Sequence, residues 1–430
     1  MRKIGVGIMG LGTVGTGVYK VLVNNADIIA RRVGAEIVVK RILEKDQTRE
    51  RGIAVPPELY TLDVNDILND PEINIVVEVL GGISPAREFI LAAMNKGKSV
   101  VTANKDLIAL HGQELFETAE KNNVDFLFEA SVGGGIPIIR PLKQCLAANN
   151  IRLIYGIVNG TTNYMLSKMS LEGREYEDVL KEAQAKGYAE ANPASDVEGL
   201  DAARKLAILA SIAFNTRLTI NDVYVEGITK ISARDIEYAR ELGYVIKLLA
   251  IGKEENGEVE VRVHPALVPI HHPMASVNDV YNAIFVRGDA VGDTMFYGRG
   301  AGELPTASAV VGDIMEAARN LLCGTPCRIG CTCYEEKKVR DIKDTASKFY
   351  VRMKVVDKPG VLAAIASVFG NQEVSLASVI QKRNIGPLAE IVWVTHRARE
   401  RNMQDALQII GGLSIVAEIS NVIRVEGEDD

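Results

Sequence analysis

One stretch of the sequence gathers the acidic and basic side chains that general acid–base chemistry requires. Within residues 187–205, Asp201 and Lys205 are four positions apart. On a helix this spacing places both on one face, where a surface ion pair is the simplest interpretation. Two features favour a chemical role. Glu190 and Asp196 lie upstream of the pair, and Lys205 is followed directly by a run of apolar residues. A lysine held by carboxylates at the edge of a core is a candidate proton donor.

The helix that would carry this pair is predicted to begin directly after an acidic loop. Ser195 followed by Glu198 has the spacing of a capping box, with Asp196 as a competing N-cap. Strong helix formers then run from Val197 to about Phe214. The sequence therefore predicts an irregular loop that passes into one long helix.

The N-terminus carries a glycine pattern that is typical of dinucleotide binding. The sequence Gly10-Leu11-Gly12-Thr13-Val14-Gly15 follows a predicted strand at residues 3–9 and opens a helical run. The first glycine permits a tight turn, the second lets the backbone approach a pyrophosphate, and the third lets helix pack on strand. Thr13 and Val14 would then lie at a helix N-terminus, which attracts phosphate groups.

The second predicted strand gives conflicting indications about the cofactor. An acidic residue near its end binds the ribose 2′-hydroxyl of NAD, and Glu44 follows the strand at residues 36–43. Lys40 and Arg41 lie within the strand and favour the 2′-phosphate of NADP instead. We expect NADP, with Arg41 among the cofactor-binding residues.

Repeated strand and helix units in the N-terminal third predict a doubly wound parallel sheet. Lys105 and Glu129 each lie at the end of a predicted strand, and ligands bind beyond the carboxyl ends of such strands. A glycine-rich segment at 133–137 marks a boundary, after which the pattern predicts an α+β domain with a mostly antiparallel sheet. The glycines at 298–302 are flexible enough to approach a ligand closely.

The C-terminal part has a different organisation. Residues 350–425 follow the order βαββαβ, which is typical of a ferredoxin-like module. The preceding residues, 324–347, are polar and charged and predict a linker. Glu426–Asp430 is acidic and predicts a solvated tail.

The composition excludes several classes of protein. The chain has 430 residues, 47% of them hydrophobic and 24% charged, which is an ordinary globular balance. A net charge of −7 argues against a nucleic-acid partner. No apolar run reaches membrane-spanning length, so we expect a cytoplasmic protein with no membrane association. Four of the five cysteines lie between Cys323 and Cys333 without a CxxC…CxxC pattern, and we expect them to be plain thiols.

Several segments together resemble the homoserine dehydrogenases over essentially the whole chain, and residues 348–425 are similar to an ACT domain. The resemblance implies interconversion of L-homoserine and L-aspartate 4-semialdehyde with NAD or NADP, in threonine, methionine and isoleucine biosynthesis. The matching segments are Gly10–Gly15, Thr102–Lys105, Glu129–Pro137, Asn159–Tyr164, Gly187–Lys205 and Gly300–Gly302.

The same resemblance assigns roles to single residues. It places the proton-transferring lysine at Lys205, supported by Asp201, and a lysine near nicotinamide and substrate at Lys105. The carboxylate for the substrate amine is Glu190, with Asp196 nearby. The expected cofactor-binding residues are Gly10, Gly12, Thr13, Val14, Gly15, Arg41, Lys105 and Gly302.

The family also implies a structural sodium ion, held mostly through backbone carbonyl groups. One departure is Asn192, which stands where the family usually has aspartate, so a negative charge is lost near the substrate. The residues that match the sodium ligands are Glu129, Val132, Gly134 and Ile136.

Together, pattern and resemblance predict three domains in a homo-oligomer, a dimer or a tetramer. The loop at 357–360 precedes a helix N-terminus and is a candidate site for an amino-acid effector, for which the family implies L-threonine. The expected parts are a Rossmann domain at 1–136 completed by the helix at 306–322, a catalytic and dimerisation domain at 137–323, a linker at 324–347 and an ACT domain at 348–426.

Two other functions fit parts of the sequence. A semialdehyde dehydrogenase that oxidises an aldehyde needs a cysteine nucleophile with a neighbouring base. Cys145 follows the glycine-rich boundary, but the nearest upstream histidine is His111. A non-catalytic amino-acid sensor that binds a nucleotide would leave the acid–lysine stretch unexplained.

Overall fold

The computed structural model describes residues 2–427. The chain forms two compact units, and it passes between them several times. The first unit contains Met1–Ile154, Arg204–Asp222 and Asn282–Glu336, and the second contains Tyr155–Ala203, Val223–Tyr281 and Lys337–Asp430.

The first unit is built on a six-stranded parallel sheet with the order β3-β2-β1-β4-β5-β6. This order is the one found in dinucleotide-binding folds, so the predicted doubly wound sheet is confirmed. The strands are β1 (Arg2–Met9), β2 (Ala35–Leu43), β3 (Tyr60–Thr61), β4 (Ile73–Glu78), β5 (Ser99–Thr102) and β6 (Phe126–Leu127). The helices between them are α1 (Thr13–Asn24), α2 (Ala26–Val33), α3 (Asn65–Leu68), α4 (Ala86–Asn95) and α5 (Lys105–Asn122).

Helices and strands alternate irregularly in the middle of the chain. The elements are β7 (Ile151–Ile157), α6 (Gly160–Glu172), α7 (Tyr176–Ala185), α8 (Ala194–Val197), α9 (Leu200–Ala213), β8 (Tyr224–Val225), α10 (Ala233–Glu241), β9 (Tyr244–Glu255), β10 (Glu258–Pro269), β11 (Tyr281–Gly288), β12 (Gly292–Arg299) and α11 (Glu303–Cys323). Strands β9 and β10 form one hairpin, and β11 and β12 form another, as expected for the mostly antiparallel sheet predicted for this region.

The C-terminal elements follow the predicted βαββαβ order. They are β13 (Lys338–Val339), β14 (Ala346–Val356), α12 (Val361–Asn371), β15 (Leu376–Ile385), β16 (Leu388–Thr395), β17 (Ala398–Arg399), α13 (Glu400–Gly411) and β18 (Val416–Val425). A separate core lies beneath this sheet, where Phe349, Phe369 and Trp393 are fully buried. The ferredoxin-like module is therefore confirmed, with strand order β18-β14-β16-β15.

Helix α11 packs in the same core as α1, although almost three hundred residues separate them. Ile314 of α11 is completely buried there. A Cβ atom on Gly17 of α1 would lie 2.6 Å from the carbonyl oxygen of Glu303. The Lys20 ammonium pairs with the Glu303 carboxylate at 2.7 Å. Glycine thus permits the close packing of the two helices, and an ion pair joins them.

The last strand of the module also extends the sheet that contains β10. Ala266 and Leu267 of β10 pair in parallel with Arg424 and Val425 of β18. The next residue, Glu426, donates its N–H to the Leu267 carbonyl at 2.9 Å. Strands β9, β10 and β18 are therefore consecutive in one sheet.

The prediction of a solvated tail was wrong for Glu426, which is 4% exposed. Its carboxylate contacts the Arg262 guanidinium at 2.6 Å and the Lys253 ammonium at 3.1 Å. The Tyr155 hydroxyl donates to it at 3.1 Å. Ion pairs with buried Arg262 and half-buried Lys253 hold this carboxylate inside the protein. Residues 428–430 of the predicted tail lie outside the described residues.

The predicted start of the acid–lysine helix was also wrong. Ser195 lies inside the short α8, whose N-cap is Pro193, so no capping box forms there. Gly199 follows with φ +85° and breaks the helix before α9 begins at Leu200. The left-handed conformation ends one helix and lets the next start in a new direction. Among residues 2–427, no helix is both long and apolar enough to cross a membrane.

Candidate functional site

The glycine-rich loop between β1 and α1 has the form of a phosphate-binding turn. Gly10 adopts φ +100°, and its N–H donates to the Leu43 carbonyl at 2.9 Å. A Cβ atom on Gly15 would lie 2.0 Å from the Gly10 carbonyl oxygen, whereas one on Gly12 would meet nothing within 4 Å. The outer glycines are therefore required by the fold itself. Open space at Gly12, beside the N-terminus that starts at Thr13, fits the pyrophosphate of a dinucleotide.

Two charged residues from the segment after β2 hold this loop. The Leu11 N–H donates to the Glu44 carboxylate at 2.8 Å. Arg51 donates through Nε to the Leu11 carbonyl at 3.0 Å, and its Nη2 lies 3.6 Å from Glu44. Arg51 was not predicted, because its contact depends on how residues 44–59 fold back, and only its place in a charged run indicated a role.

Lys40 and Arg41, the basic residues of β2, contact residues outside the glycine-rich loop. Lys40 forms an ion pair with Glu72 at 2.8 Å. Arg41 donates through Nη1 to the Lys40 carbonyl at 2.9 Å and lies 3.5 Å from the Glu58 carbonyl. In the described structure it is thus Glu44 and not Lys40 that contacts the glycine-rich loop.

Lys105 is the first residue of α5, and the preceding polar residues set its position. Asn104 caps the helix by accepting from the Leu107 N–H at 3.1 Å and donates to the Gly82 carbonyl at 2.6 Å. Thr102 donates to the buried Glu78 carboxylate at 2.7 Å. Burial raises the pKa of Glu78 above its ordinary value, although Thr102 and nearby N–H groups oppose this. Glu78 ends β4, and its buried strand pattern gave no sign of this contact.

An ion pair links the start of α5 to α9. The Arg204 guanidinium lies 3.2 Å from the Asp106 carboxylate. Lys105 and Lys205 are the chain neighbours of these two residues. The first unit therefore brings the backbones that carry both predicted lysines close together.

In the second unit, one asparagine organises the predicted acidic residues. The Asn159 amide donates to Asp196 at 2.7 Å and to Asp201 at 2.9 Å. Its side-chain oxygen caps α6 by accepting from the Thr162 N–H at 2.9 Å. Asn159 and Asp201 are buried, and Asp196 is half-buried. Asn159 begins a segment that matches the family, but the sequence did not indicate its place between two carboxylates.

The loop that carries Glu190 is held through its backbone. Gln184 donates to the Glu190 carbonyl at 3.1 Å, and Thr161 donates to the Tyr188 carbonyl at 2.6 Å. Asn192 accepts from the Ala194 N–H at 3.3 Å. Glu190 and Asn192 are exposed, so their side chains are accessible to a ligand.

The carboxylate of Glu129 is occupied by backbone groups. It accepts from the N–H groups of Ile138 at 2.6 Å, Ile139 at 2.8 Å and Arg140 at 2.7 Å. The Glu129 N–H donates to Asp313 at 2.8 Å. Burial and the neighbouring Glu129 charge raise the pKa of Asp313 to about 7. Of the expected sodium ligands, Glu129 could therefore contribute its carbonyl oxygen but not a free carboxylate.

The turn that contains the other expected sodium ligands packs against residues 300–302. A Cβ atom on Gly134 would lie 2.3 Å from the Gly300 carbonyl oxygen. Val132 and Ile136 flank this turn and are buried. Gly302 has φ +125° and is the N-cap of α11. Within residues 2–427, no group of three or more histidine, cysteine or acidic side chains is arranged to hold a metal.

Family models match most of the chain. The model described as "Homoserine dehydrogenase, NAD binding domain" matches residues 10–129, and "Homoserine dehydrogenase" matches residues 137–315. The "ACT domain" model matches residues 349–414.

Proteins similar to this chain are named homoserine dehydrogenases. The homoserine dehydrogenase of Bacillus subtilis (strain 168) is 43% identical over 99% of both chains. A crystal structure of a homoserine dehydrogenase from Thiobacillus denitrificans has a TM-score of 0.94 and 42% identity, and covers 99% of both chains. A hyperthermophilic archaeal homoserine dehydrogenase in complex with NADPH has a TM-score of 0.63 and 29% identity, and covers 74% of this chain and 98% of its own. This chain therefore belongs to the homoserine dehydrogenase family and has a C-terminal ACT domain.

Proposed function

We propose that this oxidoreductase interconverts L-homoserine and L-aspartate 4-semialdehyde, with a nicotinamide dinucleotide as cofactor. The observation that carries the proposal is the contact of Asn159 with both Asp196 and Asp201. Asp201 lies in the first turn of the helix that contains Lys205. The hydrogen bonds of Asn159 with Asp196 and Asp201 therefore hold the start of the helix that carries the expected proton donor. The residue roles that the family resemblance assigns to this chain support the same reaction.

NADP is the cofactor that we propose. A relative whose structure contains NADPH supports the choice. On this chain Gly12 leaves room for the pyrophosphate, and Gly302 would border it from the start of α11. Arg51 is a second candidate for the 2′-phosphate besides Arg41, because its guanidinium already contacts the glycine-rich loop at Leu11. Glu44 beside it would instead favour NAD.

The chemistry requires charge and a proton at the substrate oxygen. The nicotinamide supplies or accepts the hydride. Lys205 would donate a proton to the developing alkoxide during reduction and would receive it during oxidation. Lys105 would add a second positive charge near that oxygen. Asp201 precedes Lys205 by one turn of α9, where it would help to position the lysine side chain.

Recognition of the substrate requires a carboxylate for its ammonium group. Glu190 is exposed on a loop held by two backbone contacts, so we assign it this role, with Asp196 as a second acidic residue. A charge-assisted pair is stronger than a neutral hydrogen bond. Asn192 can accept a hydrogen bond but adds no charge, which leaves Glu190 with most of the electrostatic recognition.

A sodium ion is consistent with the donors around the turn at residues 132–136. Backbone carbonyl oxygens are suitable ligands for hard cations. The carbonyl groups would be those of Glu129, Val132, Gly134 and Ile136. The ion would brace the turn that packs on Gly300, so its expected contribution is structural.

The experiment follows reduced nicotinamide absorbance with the purified full-length protein. L-homoserine with NADP⁺ should give NADPH, and aspartate semialdehyde should consume it. An aldehyde-oxidising enzyme would instead reduce NADP⁺ in the presence of the semialdehyde and would lose activity in Cys145→Ala. A nucleotide-binding sensor would show neither reaction. No homoserine-dependent reduction of either NAD⁺ or NADP⁺ would reject the proposal.

The ACT domain supports control by an amino acid, and we propose L-threonine in a biosynthetic enzyme for threonine, methionine and isoleucine. Asp357 precedes Gly360, which has φ +90° and is the N-cap of α12 without a side-chain cap. The helix N–H groups suit a carboxylate and Asp357 suits an ammonium. A second copy of the chain would complete this site, which is the reason for proposing a homo-oligomer.

A further inference from the structure

An apolar cavity of about 200 Å³ in the first unit is lined by both lysine-bearing helices, α5 and α9. Phe116 belongs to α5 and Ile208 to α9. The segment 331–333 lines the same cavity and contributes Cys331 and Cys333. None of the functional assignments above uses these two thiols.

The surroundings of the pair favour a thiolate at Cys331. The Cys333 N–H donates to the Cys331 sulfur at 3.5 Å, and the Arg217 Nη2 lies 3.9 Å from it. Lys143 lines the cavity and donates to the Gly330 carbonyl at 2.8 Å. A hydrogen bond from the Cys333 thiol, with the Cys333 N–H and the two cations, lowers the pKa of Cys331 to about 6. A thiolate is the reactive form of cysteine.

The other cysteines differ in their surroundings. Burial raises the pKa of Cys327, whose N–H donates to the Asp125 carboxylate at 3.0 Å. Cys145 and Cys323 are exposed. They supply matched controls, because they are accessible to reagents without having a second thiol two residues away.

We propose that Cys331 and Cys333 form a redox-active dithiol that a hydroperoxide oxidises to an intrachain disulfide. The Cys331 thiolate attacks one oxygen of hydrogen peroxide, the O–O bond breaks, and the leaving hydroxide takes up a proton to become water. The Cys333 sulfur then attacks the sulfenic acid, and its proton leaves with the hydroxyl group as a second water. One peroxide and two thiols thus give one disulfide and two waters.

The disulfide would act on the helix that carries Lys205. In the reduced chain the Cys333 sulfur lies 3.7 Å from the Ser211 carbonyl oxygen of α9. Oxidation bonds this sulfur to Cys331 and so changes its contact with α9. A disulfide that closes over a single intervening residue is strained and therefore readily reduced again. The site would lower turnover reversibly during oxidation.

The test uses the reduced full-length protein and hydrogen peroxide, with free thiols counted and peptides analysed by mass spectrometry. These readouts do not depend on the proposed dehydrogenase activity. Wild type has five thiols and Cys145→Ser has four. Each should lose two to a Cys331–Cys333 linkage that dithiothreitol reverses. Cys331→Ser should form no such linkage. Retention of both thiols in wild type, or the same loss in Cys331→Ser, would overturn the proposal.

A second variant guards against a folding defect in Cys331→Ser. Cys333→Ala removes the resolving thiol but keeps the backbone N–H of residue 333 and Arg217 beside the Cys331 sulfur, so dimedone should label Cys331 as a sulfenic acid. Absence of label in a folded Cys333→Ala protein would contradict the assigned order of attack. Wild-type turnover should fall in step with disulfide formation and recover with dithiothreitol. Unchanged turnover in the fully oxidised protein would reject the action on α9.

Discussion

Replacing Asn159 with aspartate would place a hydrogen-bond acceptor between Asp196 and Asp201, where the amide now donates to both carboxylates. The introduced side chain has nearly the same shape and keeps the acceptor that caps α6, but it loses both amide donors. A hydrogen bond to a charged acceptor contributes about 1.5–3 kcal/mol. Because Asp196 is half-buried, the lower end applies, and the two lost bonds should cost about 3 kcal/mol.

The new carboxylate also adds like charge, which makes the loss depend on pH. A rise of about 3 units in the pKa of the introduced carboxyl corresponds to about 4 kcal/mol. A carboxyl whose pKa is raised in the folded state loses stability as pH rises from its unfolded value of about 4 to a folded value of about 7. The loss of folding stability in Asn159→Asp should therefore be smaller at pH of about 5 and complete at pH of about 8.

Thermal unfolding across this pH range measures the difference, with Asn159→Ser as the matched control. Serine preserves the helix cap and loses the amide donors without adding charge, so its deficit should not change with pH. The turnover of Asn159→Asp should fall most steeply at high pH, because repulsion displaces Asp201. Parallel stability curves for the two variants would refute the electrostatic reasoning.

Four other variants test separate parts of the protein. Lys205→Ala should reduce turnover about 100-fold or more while NADPH still binds, and wild-type-like kcat would remove Lys205 from the mechanism. Gly12→Ala should keep the wild-type melting temperature but bind NADPH more weakly. Gly15→Ala should unfold at a much lower temperature, because its Cβ would lie 2.0 Å from a carbonyl oxygen. Equal melting temperatures for the two variants would contradict the packing argument. L-threonine should change Trp393 fluorescence and lower activity over one concentration range, and Asp357→Asn should weaken both effects; unchanged potency in that variant would place the effector elsewhere.

The Rossmann sheet could be predicted because local pattern and topology agree there. Gly10, Gly12 and Gly15 lie between a buried strand and a helix, and that order of elements has few alternative folds. The βαββαβ module could also be predicted, because its strands and helices follow a characteristic order and are separated by turn residues. In both regions local interactions determine most of the architecture.

Contacts between distant segments were beyond prediction. Helix α9 begins at Leu200 because Gly199 adopts a left-handed conformation, and a favourable capping sequence cannot reveal that. Arg51 reaches Leu11 through the fold of a long loop. The buried position of Glu426 depends on Arg262, a residue 164 positions away. Propensity describes single segments, whereas these positions are set by tertiary partners.

Because β18 pairs with β10, the sheet that contains β9 and β10 depends on the C-terminal ACT domain. Removing residues 348–430 would remove Glu426 from the fully buried Arg262, which would keep Glu260 as an ionic partner at 3.0 Å. Breaking a buried pair costs up to about 3–5 kcal/mol. Simple deletion is therefore an unsuitable test of feedback in this chain. A form of this chain without the ACT domain would have to replace the buried arginine before it could lose the module. The order of mutational steps toward such a form is thus constrained.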